Sequence, residues 1–216
     1  MTTPHAAGRR WPASLAVGMV LVAHLVVPPA VQVGPIWLLP TVTALLLVPV
    51  VVANPGSLRR DHDALRALAL ASATAVAVLN AAVLLSLLVT LLSRPTLSPR
   101  DLILTAAVLL TTNVVAVAVL LWELDGGGPF ARHPDHGREA QRPDLLFPQL
   151  GTPGVADPDW KPSFVDYLFT SFTVTTAFSP TDTMPLTARV KVVFMMGAAV
   201  AMLTFALVAA RAVNLL

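Results

Sequence analysis

Oxygen-bearing side chains crowd one short stretch of this 216-residue chain, Thr173-Val-Thr-Thr176-Ala177-Phe178-Ser179-Pro180-Thr181-Asp182. Hydroxyls and a carboxylate in apolar surroundings are the groups that replace water around a cation. Thr176, Ser179, Thr181 and Asp182 carry such groups. Two more carboxylates, Glu123 and Asp125, follow Trp122 at the end of a long apolar run. Acidic groups at a rim concentrate cations at a pore mouth; the plainer alternative is a solvated helix terminus. His133-Pro-Asp-His136 and Glu139 are metal-ligand residue types, but Pro134 between the histidines imposes no helical spacing and no metal is expected. Asn80 and Asn113 fall in the middle of apolar runs. A buried amide there bonds a neighbouring helix or, alternatively, lines a transport path.

Other chemistries are excluded by what the chain lacks. It has no cysteine, so disulfides, thiolate metal sites and cysteine nucleophiles are ruled out. There is no Gly-rich phosphate loop, nucleophile elbow, zinc-protease motif or paired-carboxylate constellation. The expectation is no enzyme and no cofactor. Apolar residues make up 56% of the chain and charged residues 12%, half the charge of an average soluble domain. That excludes an ordinary water-soluble globule, and it equally excludes disorder. A net charge of +2 with scattered basic residues implies no nucleic-acid partner.

The elements that must position these residues are membrane helices. A bilayer core needs about 20 apolar residues in helix, and five segments qualify, at about 11–27, 36–53, 64–92, 102–122 and 190–216. The first has a rival reading as a signal peptide after Arg9-Arg10, but Pro28 spoils the cleavage site and retention as a span is expected. Pro40 and Pro49 sit near the ends of the second, where a kink is tolerated. No voltage-sensing run of arginines occurs in the third and fourth segments; Arg66 is expected to snorkel to the interface, and His24 to lie there too. The Pro-rich stretch 123–162 reads as an extramembrane loop rather than a domain.

Beyond that loop, Phe164 to Thr176 has a helical pattern but is short and rich in Ser, Thr and aromatics. Pro180 cannot continue it, since it lacks an N–H and holds Ser179 extended. The expected result is a re-entrant half-helix sheltered by protein. This order of helix, Ser/Thr-rich half-helix, Thr173-Val-Thr-Thr176, Asp182-Thr-Met-Pro185 and long apolar helix resembles the pore module of the voltage-gated-like cation channel superfamily. It is similar as well to uncharacterised bacterial integral-membrane families related to that module. The resemblance covers about 102–216. It implies a filter at Thr176, Ala177, Phe178, Ser179, Pro180, Thr181 and Asp182, a hinge at Gly197, and a tetramer. The filter departs from the potassium-channel pattern: both glycines of Thr-Val-Gly-Tyr-Gly are missing, one more residue precedes the Asp, and Phe178 would crowd an axis. Potassium selectivity of the usual kind is therefore not expected.

Orientation arguments conflict. With five spans, eleven of the fourteen Lys and Arg fall on the side of the N-tail and the long loop, which the positive-inside rule places in the cytoplasm. The channel resemblance places that side outside, and the latter orientation is adopted here. The reading is thus an all-α inner-membrane protein of five spans plus one re-entrant pore-type half-helix. Residues 1–101 form an accessory three-helix bundle. Residues 102–216 form a pore-like module, with pore loop 163–185. Its expected partners are the lipid bilayer, further copies of itself and monovalent cations. A non-conducting membrane scaffold or partner subunit is the second reading, and a small-solute carrier resting on Asn80 and Asn113 the third.

Overall fold

The structure, a computed structural model, describes residues 15, 18–20, 22–23, 25–31, 35, 37, 41, 62–93, 98–129, 131–132, 142–152, 154, 157, 160–176 and 182–213. Its elements are α1 (His62–Ser93), α2 (Pro99–Leu124), β1 (Leu145–Leu146), the single turn α3 (Pro148–Gly151), α4 (Phe164–Thr176), β2 (Met184–Pro185) and α5 (Ala188–Val213). Of the expected span at 11–27 the structure describes about half, and of that at 36–53 only residues 37 and 41; Pro40, Pro49 and His24 lie outside the described residues.

Local sequence sets the helix ends. Ser98 caps α2: its Oγ accepts from the Asp101 N–H at 3.1 Å and donates to the Asp101 carboxylate at 2.8 Å, with Pro99 pre-set for the first turn. Asp166 closes the start of α4 from the other side, where the Ser163 N–H and Oγ both donate to Asp166 Oδ2 at 2.7 Å. Gly126, Gly127 and Gly128 stop α2 with φ of 53°, 83° and 95°. At Gly128 a Cβ would also stand 3.2 Å from both the carbonyl and a carboxylate oxygen of Glu123.

Among the described residues three helices are long and apolar enough to cross a membrane, Arg66–Ser93, Pro99–Gly127 and Ala188–Val213, and they make the chain a membrane protein. At 1.5 Å per residue α1 reaches about 48 Å and α2 and α5 about 39 Å, whereas α4 reaches only about 20 Å, short of a bilayer core of about 30 Å. Helix α2 is central and packs against α1, α4 and α5. The Arg66 Nε donates to the Glu123 carbonyl at 3.1 Å and the Arg189 Nη2 to the Leu124 carbonyl at 3.2 Å. Helices α1 and α5 therefore both start beside the end of α2 and run antiparallel to it. Arg66, expected to snorkel to the interface, caps an orphan carbonyl of the last turn of α2.

The buried apolar residues form two clusters. One, at the loop end, joins Val115 to Trp122 of α2 with Ala73, Val76, Leu145, Phe147, Phe164, Tyr167 and Val190; Val20 from the N-terminal stretch joins it. The other joins Val83, Leu84 and Leu87 of α1 with Leu102 and Leu109, covered by Val31 and by Val200, Leu207 and Val208 of α5. The outward faces of α4 and α5 stay apolar: Phe169, Phe172, Met195, Met196 and Met202 are all more than half exposed, the arrangement that lipid or another apolar surface satisfies.

Candidate functional site

Helix α4 packs along α2 from its loop end inward. Its Phe164 ring meets Trp122 edge to face at 5.4 Å, and its Ser171 Oγ donates to the Val114 carbonyl at 2.7 Å. Its tip reaches the middle of α5, where Thr175 lies 3.4 Å from a Cβ built on Gly197. The chain then comes back. Thr183 stands level with Thr170, whose Oγ1 donates to the Thr183 Oγ1 at 3.3 Å, and β2 pairs antiparallel with β1 of the loop. The start of α4 and residues 183–185 thus lie toward one end of the α2–α5 pair.

The residues singled out from sequence fall as follows. Thr176 ends α4, half-buried, its Oγ1 donating to the Phe172 carbonyl at 2.8 Å. Ala177, Phe178, Ser179, Pro180 and Thr181 lie outside the described residues, as do His133, His136 and Glu139. Asp182 is exposed at the start of the returning segment. Glu123 and Asp125 are not a solvated terminus: they are 1% and 2% exposed, because the loop folds back over them. Asn80 and Asn113 both bond neighbouring helices: Asn80 Oδ1 accepts from Thr112 of α2 at 2.7 Å, and the Asn113 Nδ2 donates to the Gly197 carbonyl of α5 at 2.8 Å. Gly197 is buried between helices, where a Cβ would lie 2.8 Å from Val117. Between α2 and α4 lies a groove of about 550 Å³, lined by Leu110, Val114, Leu168 and Phe172 among others. It offers a polar solute almost nothing to bond.

At the entry to α4 the structure assembles a polar clasp. Asp125 Oδ1 accepts from the backbone N–H of Asp144 at 2.7 Å and of Leu145 at 3.1 Å. Its Oδ2 accepts from the Tyr167 hydroxyl at 2.6 Å. Arg132 donates to the carbonyls of Trp122 and Asp125, covers the last turn of α2, and places its guanidinium 5.2 Å from the Tyr167 ring. Asp144, fully buried, accepts from Gly126 N–H at 3.1 Å, Thr187 Oγ1 at 2.7 Å, and Arg189 Nε and Nη2 at 2.7 and 2.5 Å. Two carboxylates so anchor the loop to the end of α2, the start of α4 and the start of α5. Among the described residues no group of three His, Cys, Asp or Glu side chains is placed to hold a metal.

No family model, curated protein or solved structure matches the chain.

Asp144 and Tyr167 were not picked out by sequence. The signal for Asp144 was an acidic residue directly before Leu145-Leu146-Phe147, the longest apolar run in a Pro-rich polar loop. Tyr167→Phe is expected to lower stability by about 1–2 kcal/mol, since it leaves a buried carboxylate oxygen without its strongest neutral donor. Thermal melts in detergent check this, with Phe172→Leu on the exposed face as the control that should not move.

Proposed function

We propose that the chain is a multi-pass inner-membrane protein whose α2, α4 and α5 form a pore-type module with α4 re-entrant. In this reading it assembles as a homo-oligomer, a tetramer by resemblance, for passive permeation of monovalent cations past Thr176, Ser179, Thr181 and Asp182. The observation that carries the reading is the course of α4. A 13-residue helix ends level with the middle of the spanning helices α2 and α5, and the chain returns to the end it came from. Such a hairpin at bilayer depth is tolerated where protein shields it, and α2 and α5 shield it on two sides. A single module encloses no path, so permeation requires copies to surround one.

The test is a flux assay on purified protein in sealed vesicles loaded with a cation-sensitive dye. Vesicles with protein should equilibrate potassium or sodium faster than empty ones, and Asp182→Asn should slow the rate. Flux equal to that of empty vesicles across a range of voltage and pH removes the conducting reading. A second reading, a non-conducting membrane scaffold, is favoured by the clasp: Asp125 and Asp144 are engaged in internal bonds and leave no charge facing a mouth.

A further inference from the structure

We infer that the Thr112 hydroxyl is a two-position switch that couples α1 to the contact between α4 and α5. Three consecutive residues of α2 each bond a different helix. Thr112 Oγ1 donates to Asn80 of α1 at 2.7 Å, the Asn113 Nδ2 donates to the Gly197 carbonyl of α5 at 2.8 Å, and the Val114 carbonyl accepts from Ser171 of α4 at 2.7 Å. Neighbouring residues on an α-helix project about 100° apart, so three adjacent positions reach three helices packed round one. All the bonding side chains are buried, with Asn80, Thr112, Asn113 and Ser171 at 1%, 0%, 2% and 0% exposure.

Water cannot replace a bond lost at this depth, so α1, α4 and α5 are referenced to a single turn of α2. A rotation of α2 that releases one bond strains the other two. Thr112 supplies the means of release. Its one hydroxyl proton has a second acceptor at the same distance, the Val108 carbonyl of its own helix at 2.7 Å. Turning to Val108 keeps the hydroxyl bonded and releases α1, at the cost of the Asn80 Oδ1 losing that donor; turning to Asn80 engages it. The tip of α4 is where the change is felt, because Thr175 and Val117 both crowd Gly197. The inference does not depend on whether ions pass, and it makes α1 a working part of the module rather than an accessory to it.

The absence of native cysteine permits a direct test. Spin labels at Phe169→Cys on α4 and Met196→Cys on α5, both exposed, report the α4–α5 distance by pulsed dipolar spectroscopy on the full chain. Asn80→Leu and Thr112→Val lie on α1 and α2, not on the labelled helices. Each is expected to shift the mean distance by about 1–2 Å, the scale of helix shifts in switching proteins, or to broaden its distribution. Thr112→Ser, which keeps the hydroxyl, should reproduce the parent. Asn113→Leu should give the same change, and adding Asn80→Leu to it should add little. An unchanged distribution in Asn80→Leu and Thr112→Val overturns the inference, whatever Asn113→Leu does. So does a Thr112→Ser trace that matches Thr112→Val. If Asn113→Leu fails to fold, the Asn80 and Thr112 variants alone decide it.

Discussion

Asp144→Ala is expected to lower stability by about 3 kcal/mol, the cost of breaking a buried pair with its attendant hydrogen bonds. The change strands a Gly126 N–H and a Thr187 hydroxyl that now bond the carboxylate, and it removes the carboxylate partner of Arg189. The Arg189 side chain is 49% exposed, so part of its charge finds water, which keeps the figure at the low end for a buried pair. Because Asp144 joins the loop to α2 and α5 at once, the loss falls on the seating of α4 as well. Thermal unfolding in detergent is the measurement. The double variant Asp144→Ala with Arg189→Ala should cost less than the two singles together, since one bond cannot be lost twice.

The pH dependence has the same origin. Burial pushes the Asp144 carboxyl up, but the bonds from Arg189, Thr187 and the Gly126 amide, with the charge of Arg189, carry it below its ordinary value of 3.8. The folded pKa therefore lies below the unfolded one. The stability Asp144 supplies is fully present above about pH 4 and is lost as pH falls through the lowered value. The contribution of Asp144 should hold unchanged from pH 8 to pH 5 and fall away below about pH 4, and Asp144→Asn should flatten the acid limb. Loss of stability between pH 7 and pH 5 in the parent that Asp144→Asn also removes would contradict the assignment.

The long helices were legible because a run of about 20 apolar residues has few other solutions. The extents expected at 64–92, 102–122 and 190–216 compare with observed helices His62–Ser93, Pro99–Leu124 and Ala188–Val213. Helix α4 was legible too. Ser163 and Asp166 mark its start, and the stretch to Thr176 is too short and too polar for a span. Asn80 and Asn113 announced interhelix bonds because an amide in an apolar run has nowhere else to turn. The clasp was hidden. Asp125 is bonded by the backbone of residues 19 and 20 positions onward and by a tyrosine 42 positions onward. Nothing local to Asp125 distinguishes a carboxylate that faces water from one that a returning loop covers. The surroundings of Gly197 were hidden for the same reason: its sequence neighbours are apolar, but the atoms that crowd it belong to α2 and α4.

Gly197→Ala is the second change expected to have a large effect, and its direction separates two roles for that glycine. Inside a helix, alanine in place of glycine gains about 0.5–1 kcal/mol from reduced backbone freedom. A hinge glycine would thus stiffen and stabilise α5 when replaced. Here the added methyl would stand 2.8 Å from Val117 Cγ2 and 3.4 Å from Thr175 Cγ2. Val117 is 3% exposed, and a β-branched side chain on a helix has one strongly preferred rotamer. Relief must therefore come from α5 moving away from α2, which stretches the Asn113 bond to the Gly197 carbonyl. Overpacking of this kind costs about 1–3 kcal/mol, and the stretched interhelix bond adds about 0.6 kcal/mol. The two penalties outweigh the helical gain, so Gly197→Ala should melt lower than the parent, and Gly197→Leu lower again. Val117→Ala removes the opposing methyls. Introduced beside Gly197→Ala it should restore most of the loss, although by itself it creates a small cavity and destabilises. That compensation requires the two residues to be in contact, and a hinge gives no reason for it. A Gly197→Ala protein more stable than the parent, whatever stands at 117, would return Gly197 to the hinge role that the family resemblance implies.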